Sequence, residues 1–481
     1  MLEAQAHQQL KTLLRREESD WPHHLTLSRL VGRSLRRRDT TLLRLSSGTD
    51  QRWWLGLLVP LCLGSHDAVL VIDHQQRRRL LEIELPRLKD QCFRLPCWEG
   101  DDAPDGDQLW LLDEAGLVRA YQNNRLGTRQ LLLPQADRLS DRLRNSMAIH
   151  IGVGDWESLR RSHPAADSAL LEWHNRLSSR LFRQAAGTDA RVRLHASDTL
   201  ALTDLLRTIG ASPAPWPSLL AIEQGRWASW AELDHGQLQW RWCLEPLEPL
   251  QLLDGLLRER PVLMLSEAGS TDRLESELDA ADVQPDVTAT LRDAELMEPL
   301  PVYAPRRQPL PNTEIYAQHL LEQSRRLILG RSGLSVVLLD DADLRRWLTS
   351  GLAGEFGSRV MEETTAPETN GVISARWSWW LEHRDQLPEP DQLIVALLPI
   401  ASLRCPLTAA RVERMKQQGG DWFRTLLLPE ALRLIPPAIA PLRRGGGRLA
   451  VLDGRLRGRT WGEQVLRCLE PWTPLQRLLP D

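Results

Sequence analysis

The stretch that decides the fold lies near the end of the chain, at residues 371–466. It begins GVISARWSWWLEHRDQLPEPDQLIVALLPIASLRCPLTAARVERM and continues, after a short spacer, FRTLLLPEALRLIPPAIAPLRRGGGRLAVLDGRL. Two short apolar runs stand out in it, Leu393–Leu398 and Arg448–Leu452, each bounded by turn-forming residues. Such runs are typical of strands buried on both faces of a parallel sheet. The sequence therefore predicts an α/β fold with a parallel sheet here.

A helix is predicted between these two strands. Pro429–Leu434 has the pattern of a helix start, since proline is well tolerated in the first helical turn. Pro436 and Pro437 follow closely, and proline inside a helix removes a backbone hydrogen bond and clashes with the preceding turn. We expect these two prolines to stop or kink the helix.

Six short motifs in this stretch follow one another in a distinctive order and approximate spacing. They are Ser378-Trp379-Trp380, Leu398-Pro399, the run Pro406-Leu407 to Ala410-Arg411, the helix Leu428–Leu434, Leu452-Asp453 and Arg455-Leu456. In these motifs the chain resembles the C-terminal motor half of the DinG/XPD family of superfamily 2 DNA helicases. The resemblance implies an α/β protein with two RecA-like parallel-sheet domains, a mostly helical, arch-like insertion in the first of them, and a role in DNA repair or replication.

Apolar runs elsewhere in the chain agree with this organisation, because strands that alternate with helical patterns indicate a parallel α/β sheet. Such runs occur at Thr41–Leu45, Ala68–Ile72, Leu109–Leu112, Gln130–Leu133, Met147–Gly152, Val262–Leu265, Ser335–Leu339 and Gly371–Ser374. The predicted segments are an N-terminal helical segment at 1–40, a first RecA-like domain at 41–154 and 241–297, a helical insertion at 155–240, a proline-rich linker or crossing segment at 298–330, and a second RecA-like domain at 331–481.

Composition sets looser bounds on function. The 481 residues carry a formal net charge of −4, so overall charge does not indicate a nucleic-acid-binding protein. Only three of the basic residues are lysines, and tryptophan (19) outnumbers phenylalanine and tyrosine together. Arginine and tryptophan suit phosphate contact and base stacking. A GC-rich genome would give the same arginine excess, so both interpretations stay open.

The cysteines and the N-terminus indicate a reducing compartment. The six cysteines show no disulfide framework. XPD-like proteins often hold an iron–sulfur cluster on four cysteines, but the corresponding interval has only Cys92 and Cys97, with Cys62 further back. We therefore expect no Fe–S cluster and no other metal. The N-terminus has no apolar signal region, and Trp53–Gly64 is too short to span a membrane, so we expect a cytoplasmic, bacterial protein that does not bind membranes.

The nucleotide loop that the resemblance implies lacks the residues that bind phosphate and metal. A nucleotide motor needs a glycine-rich loop with a lysine for the phosphates and a Ser/Thr for the metal, and no lysine in this chain follows a glycine. The positions that correspond to the loop are Gly48, Thr49, Asp50, Gln51, Arg52, Trp53 and Trp54. Two indoles stand where lysine and Ser/Thr are expected, and we predict that they fill the space that a pyrophosphate needs. Alternatively, Arg52 supplies a cation to an unconventional site.

The acidic box, which would hold Mg²⁺, has two candidates. The apolar strand Gln130–Leu133 is followed by Pro134, Gln135, Ala136 and Asp137 where the family has its Asp-Glu-x-His residues, and we favour this segment as the positional equivalent. Asp113 and Glu114, which follow another apolar run, are the only plausible metal pair. Their alternative role is that of acidic residues favoured at a helix N-terminus.

Two further motifs are degenerate. The family's Thr-Ser-Ala-Thr-Leu loop falls at Ser266–Ser270, where only Ala268 matches. In the last motif Pro436 replaces the glutamine and Ala440 the first arginine, so that only Arg443 remains of the residues that stabilise the γ-phosphate in the family. A fold can survive such losses, because its stability comes from burial and not from the site.

Three hypotheses follow from these motifs. The first is a helicase-like protein that binds single-stranded DNA, has lost ATPase activity and needs no cofactor. The second is an active helicase that uses ATP with Mg²⁺ in an unconventional site built from Arg52, Asp113, Glu114 and Arg443. The third is a scaffold that binds an unidentified protein partner.

Overall fold

A computed structural model gives the fold of the chain and describes residues 2–17, 21–46, 52–64, 67–184, 190–223, 225–267, 271–292, 298–329 and 331–475. Its strands form three sheets. In chain order the strands are β1 Thr41–Leu45, β2 Ala68–Val71, β3 Cys97–Trp98, β4 Leu109–Leu112, β5 Gln130–Leu133, β6 Ile149–Ile151, β7 Arg191–Arg193, β8 Trp227–Asp234, β9 Gln239–Pro246, β10 Val262–Glu267, β11 Val287–Leu291, β12 Leu300–Tyr303, β13 Ser335–Leu338, β14 Val360–Glu362, β15 Val372–Ala375, β16 Gln392–Val395, β17 Arg448–Val451 and β18 Trp472–Pro474.

Helices connect and cover these strands. They are α1 Leu2–Glu17, α2 His24–Arg37, α3 Trp53–Leu63, α4 His74–Arg79, α5 Leu85–Asp90, α6 Glu114–Gln122, α7 Leu139–Met147, α8 Val153–Ser162, α9 Asp167–Gln184, α10 Ala196–Ile209, α11 Trp216–Leu220, α12 Pro249–Leu252, α13 Thr271–Ala280, α14 Tyr316–Leu329, α15 Ala342–Phe356, α16 Trp377–His383, α17 Pro406–Gln417, α18 Leu428–Gly445, α19 Arg455–Gly458 and α20 Gly462–Arg467. A π-helical turn, Phe423–Leu427, leads into α18.

The first lobe is built on a parallel seven-stranded sheet in the order β11-β1-β10-β5-β2-β4-β3. Its strands are apolar without interruption because helices cover both faces. Along β5, Leu132 packs in the core beneath α1–α3, whereas Leu131 and Leu133 pack on the opposite face. The two-sided burial predicted from the short apolar runs is confirmed.

One predicted strand of this sheet is assigned differently by the structure. The run Met147–Gly152 contains β6, but β6 pairs antiparallel with β9 in a separate four-stranded sheet, β6-β9-β8-β7. The expectation that this run belongs to the parallel sheet was wrong. The apolar pattern alone does not specify the sheet that a three-residue strand joins.

The insertion is mostly helical, as predicted, and also contains the hairpin β8–β9, which the sequence analysis missed. Its tryptophan-rich stretches form these two strands, whose side chains alternate between two cores. Trp242 faces the helices of the insertion, and Cys243 faces the opposite side. The period-two alternation of a half-buried strand was present in the sequence but hidden by the helical spacing around it.

The second lobe is a parallel seven-stranded sheet in the order β14-β15-β13-β16-β17-β12-β18. Residues 298–330, expected to be a linker, contribute β12 and α14 to this lobe. Leu300 and Val302 are buried in its core, and β12 pairs with β17 on one side and with β18 on the other. The proline content of this segment led to the prediction of a linker. Leu300–Tyr303 instead forms a strand whose alternate apolar residues are buried.

Pro436 and Pro437 were predicted to stop or kink the helix. They do not stop it, because α18 continues to Gly445. Its apolar face, which includes Ile435, Ile439 and Leu442, is buried in the core of the second lobe. That burial offsets the backbone hydrogen bonds that prolines remove. The helical stretch Phe423–Gly445 is long and apolar enough to cross a membrane by length and composition, but most of it is buried inside the protein, as in a core helix.

Candidate functional site

The degenerate acidic box, 134–137, lies in the cleft between the two lobes, where Arg433 of the second lobe contacts it. The first lobe contributes the segment that follows β5 and the end of β10, both at the carboxyl edge of its sheet, together with α7 and α13. The second lobe contributes α17, α18 and the turn after α16. In α/β sheets of this kind, ligands bind at the carboxyl ends of the strands, so this cleft is where a nucleotide would be sought.

The relict nucleotide loop is only partly described. Gly48, Thr49, Asp50 and Gln51 lie outside the described residues. Trp53 and Trp54 begin α3, and their rings stack with centroids 4.2 Å apart. Both indoles are buried, in the core that α3 forms with α1 and α2. The positions of the lysine and Ser/Thr of a nucleotide loop are thus occupied by core side chains that offer neither a cation nor a metal ligand.

The relict acidic box follows β5 as expected but pairs with the protein's own arginines. Gln135, in the left-handed region with φ 60°, accepts a hydrogen bond through Oε1 from Arg142. Asp137 is buried, and its backbone carbonyl accepts a hydrogen bond from Nη1 of Arg433, which lies on α18 of the other lobe. Pro134 and Ala136 offer no side-chain ligand. An arginine of the second lobe therefore contacts the segment where the family would hold Mg²⁺.

Asp113 and Glu114, the alternative metal pair, already have partners. Asp113 is the N-cap of α6, and its Oδ1 accepts a hydrogen bond of 2.7 Å from the Gly116 amide. Glu114 is buried and forms an ion pair of 3.1 Å with Arg142, which also contacts Asp73 at 2.8 Å. In the described part of the chain no group of three or more His, Cys, Asp or Glu side chains could hold a metal. The arrangement supports the helix-N-terminus role.

Substituting Asp113 separates the two roles. We expect Asp113→Ala to lower the free energy of unfolding by about 1 kcal/mol through loss of the cap, and Asp113→Asn to be nearly neutral because asparagine also caps helices. Urea unfolding of the three proteins measures this difference. If the pair holds a metal instead, Mg²⁺ will stabilise the wild type, and Asp113→Asn will abolish that effect.

Arg443, the last arginine of the degenerate motif, is held by backbone carbonyls of the second lobe. Its Nη2 donates hydrogen bonds to the carbonyls of Leu469 at 2.7 Å and Glu470 at 3.2 Å. Burial lowers the pKa of Arg443. Ala440 is buried, and Pro436 lies within the continuous helix α18. Arg443 therefore ties α18 to the chain after α20, and the structure does not bring it together with Asp113 and Glu114, whose partners lie within the first lobe.

A group of charged residues that the sequence motifs did not reveal as a cluster joins the lobes, and we call it the inter-lobe charge cluster. Its members lie on four helices, two from each lobe, and only Arg411, Glu430 and Arg433 fall within motifs named above. They are Asp141 and Arg144 on α7, Arg273 and Glu277 on α13, Arg411 on α17, and Glu430 and Arg433 on α18.

Asp141 and Glu430 are the acidic centres of this cluster. Asp141 contacts Arg144 at 2.7 Å, Arg273 at 2.9 Å and, across the cleft, Arg433 at 2.9 Å. Glu430 contacts Arg411 at 2.7 Å within its own lobe and Arg273 at 3.1 Å across the cleft. Two ion pairs of the cluster thus join the lobes. In one the first lobe provides the carboxylate, and in the other it provides the arginine.

The pKa shifts in the cluster show how strongly these charges depend on one another. Burial alone would raise the pKa of Asp141, but Arg273, Arg433 and Arg144 hold it well below its usual range. Burial would also raise the pKa of Glu430, but the positive charges of Arg411 and Arg273 outweigh burial and lower it. Burial would lower the pKa of Arg273, whereas its carboxylate neighbours raise it well above normal. The opposite charges of Asp141, Arg273 and Glu430 thus keep one another ionised in a partly desolvated cleft.

A second set of charged side chains lies beside the relict acidic box. Burial raises the pKa of Glu267 at the end of β10, the negative charge of Asp137 adds to this, and Arg138, Arg384 and Arg433 oppose it. Arg384 extends from the turn after α16, and burial lowers its pKa while Glu267 partly restores it. The charges of both lobes therefore face each other at the base of the cleft.

The insertion also contacts the second lobe. Ala228, Trp230 and Cys243 of the hairpin form an apolar cluster with Ala410 of α17. Ion pairs flank this cluster: Arg414 contacts Glu248 at 2.8 Å, and Glu413 contacts Arg193 at 2.5 Å. The insertion thus packs against α17 of the second lobe through both apolar and charged contacts.

Comparison with known proteins gives one sequence relative and a consistent structural match. No protein-family model matches the chain. Over 121 residues, 24% of the chain, the sequence is 31% identical to the ATP-dependent DNA helicase YoaA of Haemophilus influenzae. The chain matches only 19% of the length of that relative.

Among solved structures, the fold is similar to S. tokodaii Xpd4, with a TM-score of 0.60 at 12% identity, covering 92% of this chain and 97% of that one. An apo XPD structure gives the same TM-score at 14% identity, covering 94% of this chain and 100% of that one. The predicted fold class, two RecA-like parallel-sheet domains with an insertion in the first, is confirmed by these matches and by the two seven-stranded sheets.

Proposed function

Because the chain has an XPD/DinG-like superfamily 2 helicase fold, we propose that it is a helicase-like single-stranded-DNA-binding protein that does not hydrolyse ATP. The observation that carries the proposal is the inter-lobe charge cluster. A motor changes the separation of its lobes during each cycle of nucleotide hydrolysis, whereas here the lobes are joined by the protein's own ion pairs.

The ion pairs across the cleft favour its closed form. Opening the cleft would break the pairs of Arg433 with Asp141 and of Arg273 with Glu430 together, at a cost per pair below the roughly 3–5 kcal/mol of deleting one partner, because water would solvate the separated charges. A nucleotide would have to supply that energy through contacts with residues that the chain lacks. The lobes would then act as a fixed platform.

ATP with Mg²⁺ does not fit the residues present. Asp113 caps a helix, Glu114 is paired with Arg142, and Arg443 is held by backbone carbonyls of the second lobe. These three groups do not converge on one point with free ligand atoms, as a metal-assisted phosphoryl transfer requires. The unconventional-motor hypothesis therefore finds no support in the arrangement of its residues.

Single-stranded DNA is the proposed partner, with DNA repair or replication in the cytoplasm as the proposed setting. The helicase name of the sequence relative and the shared fold support this choice. Binding without hydrolysis would use electrostatic contact with the phosphate backbone, which makes affinity fall as salt rises.

Steady-state ATPase assays with and without single-stranded DNA, beside binding of a labelled oligonucleotide, test the proposal. We expect no turnover under either condition, no thermal stabilisation by Mg²⁺-ATP, and binding that weakens with salt. DNA-stimulated turnover that disappears in Arg52→Ala would overturn the non-catalytic assignment. Absence of both turnover and oligonucleotide binding would favour a protein-interaction scaffold.

A further inference from the structure

Five exposed arginines lie at the carboxyl edge of the second sheet, four on three loops and Arg457 on the short helix α19 within the last of them. The loops follow β12, β16 and β17, which are the neighbouring strands β16-β17-β12 of that sheet. We call this surface the arginine edge, and it comprises Arg306, Arg307, Arg404, Arg457 and Arg459.

None of these arginines forms an ion pair with any described carboxylate; other exposed arginines, such as Arg94 and Arg161, share this property but lie on other elements of the fold. Elsewhere exposed arginines commonly pair along helices, as Arg78 does with Glu82 at 2.9 Å and Arg176 with Glu172 at 2.6 Å. Like charges held close together repel one another and are destabilising unless an anion compensates them. A set of unpaired cations on adjacent loops is therefore a candidate binding surface for anions.

The three loops are held in fixed positions. Asp453, fully buried, accepts a hydrogen bond of 2.9 Å from the Leu398 amide and forms an ion pair of 2.6 Å with Arg455, which links the loops after β16 and β17. Gln308 donates a hydrogen bond of 2.9 Å to the Val451 carbonyl, which links the loops after β12 and β17.

A close backbone approach adds to this rigidity. A Cβ atom at Gly454 would lie 2.3 Å from the Pro309 carbonyl oxygen, so only glycine allows the two loops to meet there. The loop after β12 also contains three prolines, at 305, 309 and 311, which restrict its backbone. Binding at the arginine edge would thus order long side chains but not the loops that carry them, which lowers its entropic cost.

The sign of the charge separates this edge from other strand ends of the molecule. Asp73 and Asp113 follow β2 and β4 in the first lobe, and Asp340 follows β13 in the second. Glu314 and Glu463 are exposed on segments near the arginine edge, but neither is paired with its arginines in the described structure. A polyanion would be attracted to the arginine edge because its cations are unpaired, whereas Asp73 and Asp113 already have partners in Arg142 and the Gly116 amide.

We propose that the arginine edge binds the phosphate backbone of a single-stranded nucleic acid. This inference rests on the proposed function and adds to it the surface that would carry the contact. Arginine suits the role because its planar guanidinium gives forked, two-bond contact with phosphate oxygens. Exposed Leu403, beside Arg404, offers an apolar contact to an unstacked base.

The test compares two variants with equal loss of charge. The test variant carries Arg306→Gln, Arg307→Gln, Arg457→Gln and Arg459→Gln. The control variant neutralises four exposed arginines that have ion-pair partners elsewhere, Arg78→Gln, Arg119→Gln, Arg176→Gln and Arg326→Gln. Fluorescence anisotropy of labelled oligo(dT) over a salt series gives the affinity and its salt slope, and thermal unfolding checks that both variants fold.

We expect the test variant to bind at least about tenfold more weakly and its log–log salt slope to shrink by about 3, since each lost phosphate contact removes about 0.7 from the slope for a single strand. The control should bind like the wild type.

The inference would be overturned, and the proposed function left standing, if both variants bound equally more weakly or if the wild type bound and neither variant was weakened. No binding by the wild type would reject the proposed function as well. Loss of binding to anionic lipid vesicles with unchanged oligo(dT) affinity would assign the surface to a membrane instead.

Discussion

Arg273→Met is expected to lower the free energy of unfolding by roughly 3 kcal/mol, because it leaves three carboxylates without their shared cation in a partly desolvated site. Arg273 is 8% exposed and contacts Asp141, Glu277 and Glu430 within 2.7–3.1 Å. Methionine keeps most of the apolar packing of the arginine stem, so the change removes the charge rather than the volume. The expected loss is at the lower end of the range for buried pairs because the side chain of Asp141 is 34% exposed to solvent.

Urea unfolding followed by tryptophan fluorescence measures this loss. Arg176→Met is the matched control, since Arg176 pairs with Glu172 on the surface of α9, where such a pair contributes little. Hydrogen exchange should also quicken in α7 and α18, which meet at the cleft, and stay unchanged in α9. A loss below about 1 kcal/mol, as for an exposed pair, would contradict the view that the cluster holds the lobes together.

The parts of the fold that could be predicted from the sequence are those with a local signal. A strand such as β16 is short and continuously apolar because helices cover both of its faces, and that pattern is visible without knowing its neighbours. The helical character of Leu428–Leu434 was also visible locally, although the helical stretch begins earlier than predicted, at Phe423. The degenerate motifs were likewise read locally, as residue types at an expected spacing.

The inter-lobe charge cluster could not be predicted, because its partners are far apart in sequence. Arg433 and Asp141 are separated by 292 residues, and each lies among other charged residues on an ordinary amphipathic helix. No spacing rule links them, since their contact depends on how two separately built sheets face each other. The same reason explains why Asp113 and Glu114 suggested a metal site: Arg142, the partner of Glu114, is 28 residues away.

The second large effect expected is a loss of stability in acid that depends on the cluster. Because the pKa of Glu430 is lowered in the folded protein, its stabilising contribution is fully present above the ordinary glutamate pKa and is lost as pH falls through the folded value. In that interval the unfolded chain binds more protons, so stability should fall by up to about 1.4 kcal/mol per pH unit for this one group. Asp141 has the same sign, and because its pKa is lowered further, its contribution is lost at a lower pH than that of Glu430.

Urea unfolding at pH values between about 3 and 6 gives the slope. Glu430→Gln should be less stable than the wild type near neutral pH, because Arg411 and Arg273 lose a counter-charge, and its stability should depend less steeply on pH in acid.

Glu267 acts in the opposite sense, since burial raises its pKa and its protonation favours the folded state as pH falls. It is present in both proteins, so the difference in slope reports Glu430 together with its effect on Asp141, with which it shares Arg273. Glu172→Gln, on the exposed pair of α9, should keep the wild-type slope. Parallel acid slopes for Glu430→Gln and the wild type would mean that the ion pairs across the cleft do not hold the lobes closed.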